Sequence, residues 1–133
     1  MSKAPPYWTK ARTYLSKKDS IMRSLIKKYK DNNLTTRKDV FYSLCKSIIG
    51  QQISVAAADS VFKKFESACK KKINPKIVSK LKTSQLKKCG LSRQKIRGIL
   101  EMSQKFKDKS FNPRLISKMS DEEAIIYLST LRQ

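Results

Sequence analysis

The sequence contains no histidine, and its 10 acidic residues are far outnumbered by 31 lysines and arginines. The absence of histidine excludes catalytic triads with a histidine base, zinc sites with histidine ligands, and the usual general base near neutral pH. The three cysteines are widely spaced and form no CxxC pair, which is typical of reduced cytosolic thiols. We therefore expect no metal site and no cofactor.

Long apolar runs are also missing. The first six residues lack an apolar stretch of signal-peptide length, and no segment approaches 18 consecutive apolar residues. The sequence therefore predicts a soluble cytoplasmic protein without a membrane partner, associated with the nucleoid if the source is bacterial. Leucine, isoleucine, valine and phenylalanine together make up about 24% of the chain, above the roughly 20% below which a highly charged chain is expected to be disordered. A modest core is expected.

The positive charge is large and clustered. The formal net charge is +21, and residues 67–100 contain 11 basic residues and no acidic one. A clustered basic face can neutralise phosphates and displace condensed counterions, so a polyanion such as nucleic acid is the natural partner. A lysine-rich, solvated surface is the alternative interpretation, and for any single lysine of the Lys70 to Lys72 run or the Lys87 and Lys88 pair it is the favoured one.

Apolar residues recur at helical spacing along the whole chain, whereas alternation with a period of two is nearly absent. The pattern predicts an all-α protein, a compact multi-helix bundle. We expect one domain over residues 1–133, with an N-terminal helix segment at 1–17 and core helices at 18–133. Cys45 and Cys69 fall on the apolar stripes, where a buried thiol behaves as a small hydrophobe.

Several helix boundaries carry sequence signals. Ser120 and Glu123 form a capping box, Asn74 followed by Pro75 is an N-cap with proline at the first helical position, and Gly90 occupies a position typical of a helix end. The other expected N-caps are Asp19 or Ser20, Ser54, and Ser92.

Two segments fit no simple structural role. Gly50, Gln51, Gln52 and Ile53 interrupt an otherwise continuous helical pattern. Arg93, Lys95 and Arg97 lie in or near the first turns of a long helix, where positive charge opposes the helix dipole and gains the fold nothing. Function is the simpler interpretation of these basic residues.

Taken together, the motifs resemble those of the helix-hairpin-helix (HhH-GPD) DNA glycosylases, specifically the 3-methyladenine DNA glycosylase II branch. The resemblance covers nearly the whole chain. Its most specific part is IIGQQIS at residues 48–54 combined with GLSRQK at residues 90–95. The remaining matches are RKDVF at residues 37–41, Ala56 and Ala57, Cys89 before the GLSRQK segment, MSDEEAI at residues 119–125 with Leu128, and the early Trp8, Ala11, Leu15, Asp19, Leu25 and Ile26.

The resemblance implies that double-stranded DNA, preferably damaged, is the partner and that a damaged base is flipped out before excision. In this family the loop matching Gln51, Gln52 and Ile53 supplies the side chain that fills the gap in the base stack. Gln52 is the best candidate because its amide can bond the unpaired opposite base, and Ile53 is the second, as a wedge. Capping of helix ends by Gln51 and Gln52 is the alternative.

The resemblance also places residues 90–95 near the DNA. Arg93 and Lys95 are then candidate phosphate contacts, which fix register without reading sequence. Ser92 is first of all a helix cap.

The family's catalytic aspartate follows a hairpin that matches no part of this sequence. We expect it beyond Gln133, with the chain truncated within the hairpin motif, and we assign no catalytic residue. Asp121, Glu122 and Glu123 serve a helix start, and Asp39 is expected in the first turn of its helix. The last helix is expected to bury an apolar stripe of Ala124, Ile125, Leu128 and Leu131. Truncation would leave the apolar side of this helix uncovered, and a second chain could then complete the fold.

The family activity implied is that of a DNA-3-methyladenine glycosylase II-like protein of base excision repair, which hydrolyses the N-glycosidic bond of alkylated purines. One alternative is a non-catalytic basic DNA-binding module that keeps the basic face and the glutamine loop. Another is a basic helical protein that binds RNA or an acidic partner. The ordered motifs favour the first hypothesis.

Overall fold

The computed structural model describes residues 3–131, and all regular structure in this range is helical, as predicted. Within residues 3–131, eight α-helices and one 3₁₀ helix follow one another. They are α1 (Trp8–Lys18), α2 (Ser20–Lys28), α3 (Val40–Gly50), α4 (Val55–Ala68), α5 (Pro75–Val78), α6 (Thr83–Lys88), α7 (Arg93–Lys107), the 3₁₀ helix Pro113–Lys118, and α8 (Asp121–Leu128). No described helix is both long and apolar enough to cross a membrane.

The predicted caps are present. Asp19 caps α2, Ser54 caps α4, and Asn74 accepts a hydrogen bond from the Ile77 amide at the start of α5. Ser120 and Glu123 form the capping box of α8. Asp39, expected within the first turn of its helix, is instead the N-cap of α3: its Oδ1 accepts from the Tyr42 amide at 3.0 Å.

The chain divides into two compact units between Lys38 and Asp39. In the first unit, α1 packs against α2. The Asn33 side chain accepts hydrogen bonds from Trp8 Nε1 at 3.0 Å and from Arg12 at 2.9 Å, which ties the segment after α2 back to α1. The expected single domain with a boundary at residue 17 stays a prediction.

The second unit contains the main hydrophobic core. Helix α7 packs against α3, α5 and α6, and α4 packs against α3 and α6. All three cysteines are buried in this core, as predicted for Cys45 and Cys69. The largest fully buried side chains are Phe65, Phe111, Ile49, Leu86, Ile99 and Met102.

Helix α8 joins the core through an aromatic stack. The ring of Tyr127 stacks on Phe111 with centroids 4.4 Å apart, and its hydroxyl accepts a hydrogen bond from the Asn112 amide at 2.7 Å. The predicted apolar stripe of α8 is partly wrong: Ile125 is 64% exposed, and Tyr127 takes the inward position. The neighbouring Ile126 is 70% exposed. Arg132 and Gln133 lie outside the described residues.

Candidate nucleic-acid interface

The turn between α3 and α4, residues 51–53, is the centre of the candidate interface. Gln51 ends α3 in an extended conformation, and Gln52 has a φ of 58°, in the left-handed region. The side chains of this turn are exposed, Ile53 by 41%. Ser54 then starts α4 by accepting a hydrogen bond from the Ala57 amide at 3.1 Å. The tight turn thus presents polar and apolar side chains to solvent between two well-defined helices.

A second segment, residues 90–95, lies beside this turn. Gly90 follows α6 with a φ of 98°, a conformation that L side chains rarely adopt. Ser92 caps α7, accepting a hydrogen bond from the Lys95 amide at 3.2 Å, and Arg93 is exposed at the first position of that helix. The predicted glycine stop and serine cap are therefore both present.

The Lys95 side chain connects the two segments. Its Nζ donates hydrogen bonds to the carbonyl oxygens of Ile49 at 2.9 Å and Gln51 at 2.8 Å. These carbonyls belong to the last turn of α3, where backbone acceptors have no partner within the helix. Helix α3 carries no basic residue in its own last turn, so the cation at its negative end comes from α7.

The two segments enclose a cleft of about 410 Å³. Its lining is half polar, and no aspartate or glutamate is among its residues. It consists of Ile48, Ile49, Gln51, Gln52, Ile53, Val61, Gly90, Leu91, Ser92, Gln94 and Lys95. The structure thus brings together five of the six predicted site residues in one cleft. The sixth, Arg93, does not line the cleft, although its sequence neighbours Ser92 and Gln94 do. Val61 is a lining residue that the sequence did not indicate.

The basic side chains of residues 67–100 are almost all at the surface. Ten of the eleven basic residues in residues 67–100 are exposed, and Lys95 is the half-buried exception. Arg97 lies 4.0 Å from Glu101, one turn further along α7, as an exposed pair of little energetic consequence. The positive charge of this segment is therefore available to a polyanion.

Four carboxylates have structural positions elsewhere. Asp19 and Asp39 cap helices, and Glu123 completes the capping box of α8. Hydrogen bonds from Ser110 lower the pKa of Asp108, which stabilises a turn after α7. None of these groups lines the cleft.

The cysteines do not form a chemical site. Burial raises the pKa of the Cys45 and Cys89 thiols, and it raises the pKa of Cys69 to about 11. A thiol needs its thiolate form to act as a nucleophile or metal ligand, and the raised pKa values disfavour that form near neutral pH. Within residues 3–131 no cluster of three or more cysteines, aspartates or glutamates could hold a metal ion.

A protein-family model matches more than half of the chain. Residues 45–129, which include the second half of α3, the turn, the cleft and α8, match the model of the HhH-GPD superfamily of base excision DNA repair proteins. The chain belongs to the HhH-GPD superfamily. This membership confirms the family expected from the IIGQQIS and GLSRQK motifs. No curated protein matches the chain.

Two solved structures show the same HhH-GPD fold. A DNA-3-methyladenine glycosidase from Bacillus halodurans superposes with a TM-score of 0.69 at 18% identity, covering 98% of this chain. A 3-methyladenine DNA glycosylase from Schizosaccharomyces pombe, solved in complex with abasic DNA, superposes with a TM-score of 0.71 at 20% identity, covering 92% of this chain. The chain spans 59% and 63% of the lengths of these two proteins.

Proposed function

We propose that this chain serves the repair of alkylated bases as a DNA-3-methyladenine glycosylase II-like protein that binds damaged double-stranded DNA. The exposed turn of residues 51–53 carries the proposal. A protein that extrudes a nucleotide must fill the hole left in the base stack, and a short, exposed turn between two helices suits that task. The comparison with an abasic-DNA complex of the same fold supports the DNA partner.

In this proposal Gln52 enters the gap. Its left-handed backbone places it at the most sharply bent point of the turn, and its side chain is exposed. The amide group both donates and accepts hydrogen bonds, so it can pair with the edge of the unpaired opposite base. Ile53 is a second contact, an apolar side chain beside the same bases. Arg93 and the exposed lysines provide the phosphate contacts that hold the duplex.

The hydrolytic step needs a carboxylate that stabilises the positive charge developing on the sugar as the N-glycosidic bond breaks. The cleft lining contains none. We therefore propose that residues 51–53 and 90–95 recognise and open the DNA, and that the carboxylate comes from outside the described residues. A non-catalytic DNA-binding module is the second candidate function, and the carboxylate-free cleft favours it.

An excision assay tests the proposed reaction. A duplex with one N-methylated purine is incubated with the 133-residue chain and, separately, with a longer version that carries the hairpin and aspartate implied by the family resemblance. We expect release of the methylated base by the longer protein alone. Excision by neither protein, with DNA binding intact, would support the non-catalytic module.

Excision by the 133-residue chain would contradict our assignment of the carboxylates. It would mean that one of the helix-capping carboxylates acts in catalysis, or that a second copy of the chain completes the site. Substituting Asp39 by asparagine, which keeps a side-chain oxygen for the cap, would then test the capping residue that precedes α3.

A further inference from the structure

Lys95 differs from the other basic residues of its segment in where its charge lies. The other ten are exposed, whereas Lys95 is half-buried and directs its ammonium group at two backbone carbonyls of another helix. It lies at the third position of α7, where the helix dipole disfavours a cation. An exposed phosphate contact would not need this arrangement.

The carbonyls that Lys95 contacts explain its position. The Gln51 carbonyl is part of the peptide group that joins Gln51 to Gln52. The hydrogen bond from Lys95 to this carbonyl, at 2.8 Å, therefore fixes the orientation of the peptide that leads into Gln52. The second bond, to Ile49 at 2.9 Å, anchors the ammonium group on the preceding part of α3. The unfavourable position in α7 is offset by a favourable one at the negative end of α3.

Gln52 needs such support. A residue other than glycine is less stable in the left-handed conformation than in the right-handed one by about 1–2 kcal/mol. Without an external restraint the turn would populate other conformations, and ordering it would oppose each binding event. The hydrogen bonds of Lys95 therefore restrict the conformation of Gln52, the residue that the proposed function places in the DNA gap.

We propose that Lys95 is a positioning residue, which holds the turn of residues 51–53 in its DNA-entering conformation before DNA is bound. This inference rests on the proposed function for the role of the turn. It replaces the expectation that Lys95 contacts a phosphate. Loss of the restraint is then expected to weaken binding to an abasic duplex more than binding to an intact duplex, because only the complex with the abasic duplex uses the ordered turn.

Lys95→Met tests the inference, since it retains the aliphatic stem and removes the donor. The matched control is Lys87→Met, which removes an exposed lysine of the same basic segment. Affinities for an abasic duplex and an intact duplex of the same sequence are measured at one salt concentration. We expect Lys95→Met to reduce the preference for the abasic duplex by roughly fivefold, the cost of ordering one or two side chains. Lys87→Met should change both affinities by the same factor.

A second readout needs no DNA. Backbone NMR order parameters of Gln51 and Gln52 should fall in Lys95→Met and stay unchanged in Lys87→Met. Lys95→Arg, whose guanidinium group has several donors, should restore part of both the order and the preference. If Lys95→Met does not fold, Lys95→Gln replaces it, because its side chain is one bond shorter and cannot bridge both carbonyls; the same losses are expected.

Two results would overturn the inference. Equal weakening of both complexes by Lys95→Met, with a salt dependence lower by about one phosphate, would identify Lys95 as a phosphate contact. Unchanged order parameters would show that the turn does not depend on it. If the unchanged chain binds both duplexes equally, the proposed function fails, and the order parameters still decide whether Lys95 supports the turn.

Discussion

Gln52 differs from the neighbouring Gln51 in its backbone conformation, and the proposed gap-filling role depends on that difference. Gln51 and Gln52 have the same side chain, but only Gln52 has the left-handed backbone that makes the sharp turn. The sequence singled out both because they interrupt a helical pattern, and it could not show which one occupies the bend. That distinction depends on tertiary contacts, above all on Lys95, which is 44 residues away.

Substitutions of Gln52 distinguish the role of its side chain from the role of its backbone conformation. We expect Gln52→Ala to lower the preference for an abasic duplex while leaving affinity for intact duplex nearly unchanged, because only a gap accepts the side chain. Fluorescence anisotropy with the two duplexes measures this ratio. Gln52→Gly relieves the left-handed backbone and should lose the same preference without lowering the melting temperature. An equal loss on both duplexes would exclude gap filling.

Cys69 makes stability depend on pH in the alkaline range. Its thiol ionises with a pKa of about 11 in the folded chain, against an ordinary value of 9.0. Between these values the unfolded chain releases the proton and the folded chain retains it, so stability is lost as pH rises from 9 to 11. In urea unfolding, the stability advantage of the wild type over Cys69→Ala should shrink across this range. A constant difference would contradict the burial effect.

At the scale of elements, the helix starts were predictable because each carries its own local signal. Ser54, Asn74, Ser92 and Ser120 cap the expected helices, and each side chain accepts a hydrogen bond from the backbone amide three residues further on. These interactions depend on a few neighbouring residues, and sequence spacing is sufficient to predict them.

The elements that were missed or misplaced depend on more than local sequence. The 3₁₀ helix Pro113–Lys118 was not predicted, although Asn112 before Pro113 repeats the signal correctly interpreted at α5. In α8, helical spacing put Ile125 on the buried face, yet stacking on Phe111 turns Tyr127 inward instead. The cleft joins two segments about 40 residues apart, and no periodicity indicates such a contact.

The two glycines at the ends of α3 and α6 give an element-scale prediction. A Cβ on Gly90 would lie 3.3 Å from Val61 Cγ2 at a φ of +98°, whereas a Cβ on Gly50 would lie 3.9 Å from Ala58 Cβ, an ordinary contact. We expect Gly90→Ala to lower the free energy of unfolding by about 1–2 kcal/mol. Gly50→Ala should leave it unchanged or raise it by up to about 1 kcal/mol. Chemical denaturation compares the two, and equal effects would contradict the backbone argument.

At the scale of the whole molecule, we expect the charge of +21 to dominate the proposed interaction with DNA. Each phosphate neutralised by a lysine or arginine releases counterions, so affinity falls steeply with salt. We expect duplex binding to weaken at least about 100-fold between 50 and 200 mM salt, as a complex with several phosphate contacts does. Titrations over a salt series measure the slope. A shallow slope would mean that the basic segment does not lie against the duplex.

The most direct test of the proposed function is the ratio of affinities of the unchanged chain for an abasic and an intact duplex of the same sequence and length. Both duplexes present nearly the same phosphates, so the basic surface contributes equally and cancels from the ratio. Gap filling by the turn of residues 51–53 predicts clearly tighter binding to the abasic duplex. Equal affinities would contradict it, and would leave a basic helical protein that binds nucleic acid through charge alone.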